Sequence, residues 1–227
     1  MKLEEKKLDN PVWYSLNEVH KELSLNYNEL LFYKPEYCPF GGFTNRSSNQ
    51  KGIKEYSLLT DNFYVVGDKP DFPDNVKLKN ELVCNQMVLN QPFNFISTET
   101  IIELKTVKQK EEFFKLVNLV QPGYFKIKSS DLGNYYGIYK NNNLVAVTGE
   151  RMKMDTYTEV SAVVTHPEHT GKGYAKQLLK HATNKIFQEN KIPYLHVAES
   201  NIGAIKLYEK LGFSTRRKIS FWNLIMK

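Results

Sequence analysis

Only two cysteines, Cys38 and Cys84, occur in the 227 residues. A disulfide framework needs more of them and a zinc site needs a close pair, so a reducing cytoplasm is the expected compartment. No apolar run approaches the roughly 18–20 residues of a membrane span. Residues 1–7, Met-Lys-Leu-Glu-Glu-Lys-Lys, lack the apolar core of a signal peptide. The five histidines show no ligand spacing, so no metal is expected. Basic runs are missing as well: the formal charge of +6 comes from scattered Lys and Arg, with no RNA-binding motif beside them. Neither nucleic acid nor a membrane is therefore expected as a partner. A surplus of this size suits an anionic cofactor, and it equally suits a solvated lysine-rich surface.

What is present is the balance of a globular protein: 41% hydrophobic and 25% charged residues, on a chain long enough to bury a large core. The stretch 157–189 organises the rest. Val160, Ala162, Val163 and Val164 form a nearly unbroken apolar run ended by Pro167, the pattern of a strand buried on both faces. From Ala175 onward, Leu178, Leu179, Ala182 and Ile186 recur at helical spacing between lysines. Gly171 and Gly173 thus stand where a strand hands over to a helix N-terminus. Unpaired N–H groups and the positive end of the helix dipole meet there, which makes the turn a phosphate cradle.

Thr170-Gly-Lys-Gly-Tyr-Ala175 fits neither the Walker loop nor the dinucleotide fingerprint. It resembles the pyrophosphate loop of the GNAT superfamily of acyl-CoA-dependent N-acetyltransferases, Gln/Arg-x-x-Gly-x-Gly/Ala. Gly173 and Ala175 hold the last two positions, and Thr170 replaces the usual Gln or Arg. A second segment, Asn201-Ile-Gly-Ala-Ile-Lys-Leu-Tyr-Glu-Lys-Leu-Gly-Phe213, reads as a helix by itself. Asn201 is its N-cap, Ala204, Leu207, Tyr208 and Leu211 its apolar stripe, and Gly212 its C′ residue. It is similar to the second GNAT signature at every defined position. The resemblance covers 101–227.

The resemblance implies an α/β (α+β) GNAT fold, a mixed central sheet flanked by helices. Ahead of it, 1–95 reads as a smaller α/β region. A helix is expected from Asn10 to about Ser24, with Trp13, Leu16, His20 and Leu23 on one face, then a turn-rich passage over 34–43. Strands are expected at 62–67 and 82–89. The domain boundary falls at 95/96. The second region should hold a short strand near 101–105, a helix over 108–120 and a hairpin around Asn141-Asn-Asn143. Helix, strand, helix and a final hairpin over 213–226 follow the central strand. Segments 132–138, 149–152 and 157–167 carry a narrower resemblance, to the branch related to glycine N-acyltransferases, whose members place a degenerate GNAT-like half first.

The resemblance also implies roles. Backbone groups of Val163, Val164 and Thr165 would hold the pantetheine arm of acetyl-CoA, with the N–H of Val163 or its immediate neighbour facing the thioester oxygen. Thr170, Gly171, Lys172, Gly173, Tyr174, Ala175 and Lys176 would hold the pyrophosphate, and Asn201 would contact the arm. Tyr208 would protonate the leaving thiolate, and Glu159 would take the amine proton, with Glu150 as second candidate. His166 and His169 read as loop residues and His196 as a sheet residue that could face the cleft. The expected activity is acetyl transfer to a primary amine of a small molecule or amino acid, in a monomer or homodimer. Peptide or protein N-acetylation and noncatalytic acyl-CoA binding are the alternatives.

Overall fold

The computed structural model describes residues 3–227, so the signal-peptide reading of 1–7 rests partly on residues outside those described. Helix α1 (Pro11–Asn17) opens on a proline whose missing N–H costs nothing at a first turn. It is shorter than expected. The chain turns after Asn17, and His20 folds back so that its ring meets the Ser15 hydroxyl (3.2 Å) and the Tyr33 hydroxyl (2.9 Å). Three short strands follow: β1 (Ser24–Asn26), β2 (Leu30–Tyr33) and β3 (Phe40–Phe43). β3 lies inside the passage expected to be irregular. Its Gly41 is required because the Phe32 ring occupies the space a Cβ would take, 2.3 Å away.

Helix α2 (Asn49–Ser57), not anticipated from the sequence, precedes β4 (Asn62–Val66) and β5 (Val76–Val88), the two expected strands, although β5 begins earlier. Then come β6 (Ile102–Glu103), α3 (Val107–Val120), β7 (Tyr135–Lys140), β8 (Asn143–Lys153) and β9 (Tyr157–Thr165). Thr106 and Gln109 form a reciprocal capping box at the start of α3, and Phe113, Leu116 and Val117 are its buried face. The β7–β8 turn is the asparagine run, with Asn141 and Asn142 at φ 50° and 62°, the left-handed backbone of a two-residue hairpin. Helix α4 (Tyr174–Gln188), β10 (Ile192–Ala198), α5 (Ile202–Lys210) and β11 (Ser214–Met226) complete the chain.

The eleven strands of the described residues form one mixed sheet in the order β1-β2-β3-β4-β11-β5-β10-β9-β8-β7-β6. The pairs β3–β4 and β9–β10 are parallel and every other neighbour is antiparallel. The final hairpin expected over 213–226 is instead the single strand β11. Its partner comes from far away: β5 pairs with it from Ser214↔Val88 to Met226↔Val76 and with β10 from Tyr194↔Val88 to Ala198↔Cys84. Register shifts at Thr215/Arg217 and Asn223/Leu224 are bulges within this continuous strand. The two sequence regions therefore share one sheet, with β5 inserted between β10 and β11.

Candidate active site

Strands β9 and β10 pair only over Tyr157, Thr158 and Glu159 against Ile192, Pro193 and Tyr194. Beyond Glu159 they part, while β10 stays paired on its other edge with β5. The β10-facing edge of β9 from Val160 to Thr165 is left without a ladder partner among the described strands. On its other edge β9 is bulged, with register passing from Val164↔Val147 to Ser161↔Gly149. Ala162 sits in this bulge at φ 52°, a conformation an L-residue adopts only where the surroundings enforce it. The opening is a cleft of about 530 Å³ walled by Val160–Val163, Leu195–Ala198 and residues of α5.

At the far end of β9 the chain forms a short 3-10 turn (Pro167–His169) and enters α4 through Gly171 and Gly173, at φ 75° and 77° with open space where a Cβ would stand. Both need glycine for backbone conformation, and the first N–H groups of α4 are left for an outside acceptor. The side chains around the turn are largely committed locally. Thr170 donates its hydroxyl to the Pro167 carbonyl (3.1 Å), and Lys172 approaches His169 Nδ1 (3.4 Å). Lys176 lies over the Phe95 ring (4.0 Å). Tyr174 turns its buried ring into the cluster of Tyr136, Ile138 and Leu178. Val164 points into the core and Val163 is half-buried against the cluster around Tyr208.

Tyr208 and Asn201 both reach the cleft from α5. Asn201 Oδ1 caps the helix by accepting from the Ala204 N–H (3.1 Å), which leaves its amide nitrogen for the cleft. The Tyr208 ring is buried and its hydroxyl has no partner among the described residues; burial pushes the phenol up to about 12.

The floor of the cleft is an ion pair. Arg151 on β8 grips Glu159 with a fork, Nε to Oε2 and Nη2 to Oε1, each 2.7 Å. His196 Nδ1 also lies 2.8 Å from Oε1, and the Met152 N–H reaches Oε2 at a long 3.5 Å. Burial by itself would raise the Glu159 carboxyl, but the charge and hydrogen bonds of Arg151, with His196, outweigh it and hold it near 2. Behind the histidine, Gln86 of β5 fills the other ring nitrogen (3.1 Å). Its amide nitrogen also donates to the Leu8 carbonyl (2.7 Å), and its oxygen accepts from Arg216 (3.0 Å). That leaves Gln86 one orientation, so His196 Nε2 is the acceptor and Nδ1–H donates to Glu159. Glu150 lies elsewhere: fully buried, it pairs with Lys153 (2.7 Å), accepts from the Asn134 N–H and does not line the cleft. His166 and His169 stand in the exposed turn before Gly171, away from this floor.

A family model described as FR47-like protein matches residues 135–222. A solved structure from Novosphingobium aromaticivorans, assigned to the GNAT family of acetyltransferases, is 30% identical, with 97% of this chain and 98% of that one covered at a TM-score of 0.86. The chain belongs to the GNAT family. A GCN5-related N-acetyltransferase from Kribbella flavida shares the fold at 13% identity, with 95% of this chain and 93% of that one covered at a TM-score of 0.62. The spermidine N(1)-acetyltransferase of Vibrio cholerae is 44% identical over 54 residues, 22% of this chain; the match spans under a third, 31%, of that relative's length.

GNAT acetyltransferases use acetyl-CoA, and three features here fit it: an unpaired strand edge for an extended arm, a glycine turn opening a helix for a pyrophosphate, and an unpartnered phenol between them. The sequence reading missed Arg151, although its position was recoverable. A hairpin centred on Asp155 sets Glu150 against Val160 and so brings Arg151 beside Glu159. It also missed Leu82, Cys84 and Gln86, which arrive through the inserted β5, and Phe40, which arrives on β3; no local signal in the sequence places them here.

Proposed function

We propose that this GNAT chain transfers an acetyl group from acetyl-CoA to a primary amine of a small molecule or amino acid, by direct attack in a ternary complex. The observation that carries the reading is the Tyr208 hydroxyl, without a partner at the point where β9 and β10 part. Acetyl-CoA supplies the acetyl group as an activated thioester. Backbone groups of Val163, Val164 and Thr165 hold its arm, with Asn201 from α5, and the N–H groups from Gly171 to Lys176 hold its pyrophosphate. An N–H at the Ala162 bulge, that of Val163 or its neighbour, would serve the carbonyl oxygen. Tyr208, protonated throughout the neutral range, gives its proton to the departing sulfur. Glu159 supplies the buried charge that fixes Arg151 and His196 beneath the attacking amine.

The partial likeness to a spermidine acetyltransferase supports a small amine as acceptor. The test is calorimetry with acetyl-CoA, followed by thiol release against small amines and short peptides. Binding with release driven by small amines is expected. Release driven only by peptides would transfer the reading to peptide N-acetylation, and binding without release would leave a noncatalytic acyl-CoA module.

A further inference from the structure

Six titratable side chains face the cleft: Cys84 from β5, Tyr124 from the segment after α3, Arg151 from β8, Glu159 from β9, His196 from β10 and Tyr208 from α5. None of them is arranged to take a proton from an incoming ammonium. Cys84, Tyr124 and Tyr208 bring protons of their own. Both oxygens of Glu159 are already engaged, one by Arg151 and His196, the other by Arg151 and the Met152 N–H. His196 Nε2 is filled by the Gln86 amide, and the side chain is 2% exposed. Beside the Tyr208 hydroxyl and the Asn201 amide nitrogen, the open polar group on the floor is a cation: Arg151 Nη1 has no hydrogen-bond partner among the described residues, and the guanidinium rests on the Phe40 ring (4.8 Å). With Glu159 offset by Arg151, no net negative charge is left on the floor to hold an ammonium, and desolvation favours the free amine. The walls carry the apolar and aromatic side chains of Phe40, Leu82, Pro122, Tyr124 and Phe221, with Gln121 and Ser161 as neutral polar neighbours. A polyamine would leave its further ammonium groups desolvated here with no free carboxylate to meet them.

We infer that the acceptor enters as the neutral amine, and that the site is built for a weakly basic primary amine on an apolar body of aromatic size. This rests on the acetyl-transfer reading above. In the step itself the amine nitrogen forms the C–N bond as the C–S bond breaks. The sulfur takes the Tyr208 proton, and the surplus proton of the nitrogen restores the phenol through solvent, so no proton is gained or lost overall.

The test uses the full chain, saturating acetyl-CoA and thiol release from about pH 6 to about pH 11. Three acceptors are compared: phenylalaninamide, an α-amine of pKa about 7.7–8.0; phenethylamine, with the same ring and a lysine-like pKa of about 10.4; and spermidine. The expected kcat/KM rises tenfold per pH unit up to each acceptor's own pKa, so the two aromatic amines break about 2.5 units apart. At pH 7 their neutral fractions differ by about 300-fold, and phenylalaninamide should lead by at least about tenfold once its lower nucleophilicity is counted. Spermidine should trail both. A common plateau at one pH below 8, whatever the acceptor, would mean that a protein group takes the proton and would overturn the inference, as would a preference for spermidine. Acetyl-CoA binding without thiol release from any acceptor would instead bring down the acetyl-transfer reading on which the inference stands.

Discussion

Tyr208 and the Arg151–Glu159 pair are set apart by what their polar atoms have left to do. The phenol has no partner among the described residues, so Tyr208→Phe should remove chemistry and little else. Turnover should fall by about 10²–10⁴-fold with acetyl-CoA affinity nearly unchanged, as calorimetry beside steady-state kinetics would show. A loss of affinity at unaltered turnover would refute the acid role. The ion pair is the opposite case, because every strong acceptor position of Glu159 is in use. Arg151→Met leaves a buried carboxylate unpaired and should cost about 3–5 kcal/mol in urea unfolding. Adding Glu159→Gln should recover part of that loss, so the double variant is more stable than the sum of the single changes predicts. The same pair sets an acid limit. A carboxyl near 2 in the folded chain and about 4.3 in the unfolded one stabilises the fold above the higher value. That contribution drains away as pH falls from about 4.3 toward 2.

At the level of elements, α1 shows how a tertiary contact overrides a helical pattern. His20 shares the apolar face read from Trp13, Leu16 and Leu23, yet its ring is drawn to Ser15 and Tyr33 and the helix stops at Asn17. Burial pushes the imidazole down to about 4, well below an ordinary histidine near 6.5. The unfolded chain therefore binds a proton at a pH where the folded chain does not. Stability is intact above about 6.5 and falls as pH drops toward 4, by up to about 1.4 kcal/mol per unit. Urea midpoints at pH 7.5 and 5 should show the loss, and His20→Gln should flatten it. The turn into α4 makes a second case. Gly173→Ala forces a Cβ into the left-handed region at a cost of about 1–2 kcal/mol. The added methyl would stand in the open space proposed for the pyrophosphate, so acetyl-CoA affinity should weaken along with stability.

Across the whole molecule, the two sequence regions exchange strands. β5 of the first lies beside β10 of the second, and β11 of the second lies beside β4 of the first. Each exchange follows a parallel pair, β9–β10 on one side and β3–β4 on the other, so the succession antiparallel, parallel, antiparallel occurs twice in the sheet. A fragment of 96–227 would retain both GNAT signatures and lose β5, exposing the edges of β10 and β11 together with Gln86's support of His196. Such edges invite pairing with other chains. We expect the fragment to be insoluble or unfolded by circular dichroism, and co-expression with 1–95 to restore a soluble complex. A folded, acetyl-CoA-binding 96–227 would show that the inserted strand is dispensable.

The sequence alone determined the helices and strands of 101–210, the glycine turn before α4, and the α5 segment with its Asn201 cap and Tyr208, because each is encoded by periodicity, capping and turn chemistry over a dozen residues or fewer. It failed where information had to travel further. The expected hairpin over 213–226 became one strand because its partner lies more than a hundred residues earlier, and no local pattern records which distant strand will fill an open edge. For the same reason Gln86, Cys84 and Phe40 could not be assigned to the cleft. Glu159 was legible as a chemically interesting carboxylate, but whether its lone pairs are free depends on Arg151, His196 and Met152 meeting it at hydrogen-bond distance. Only the packed sheet sets those distances.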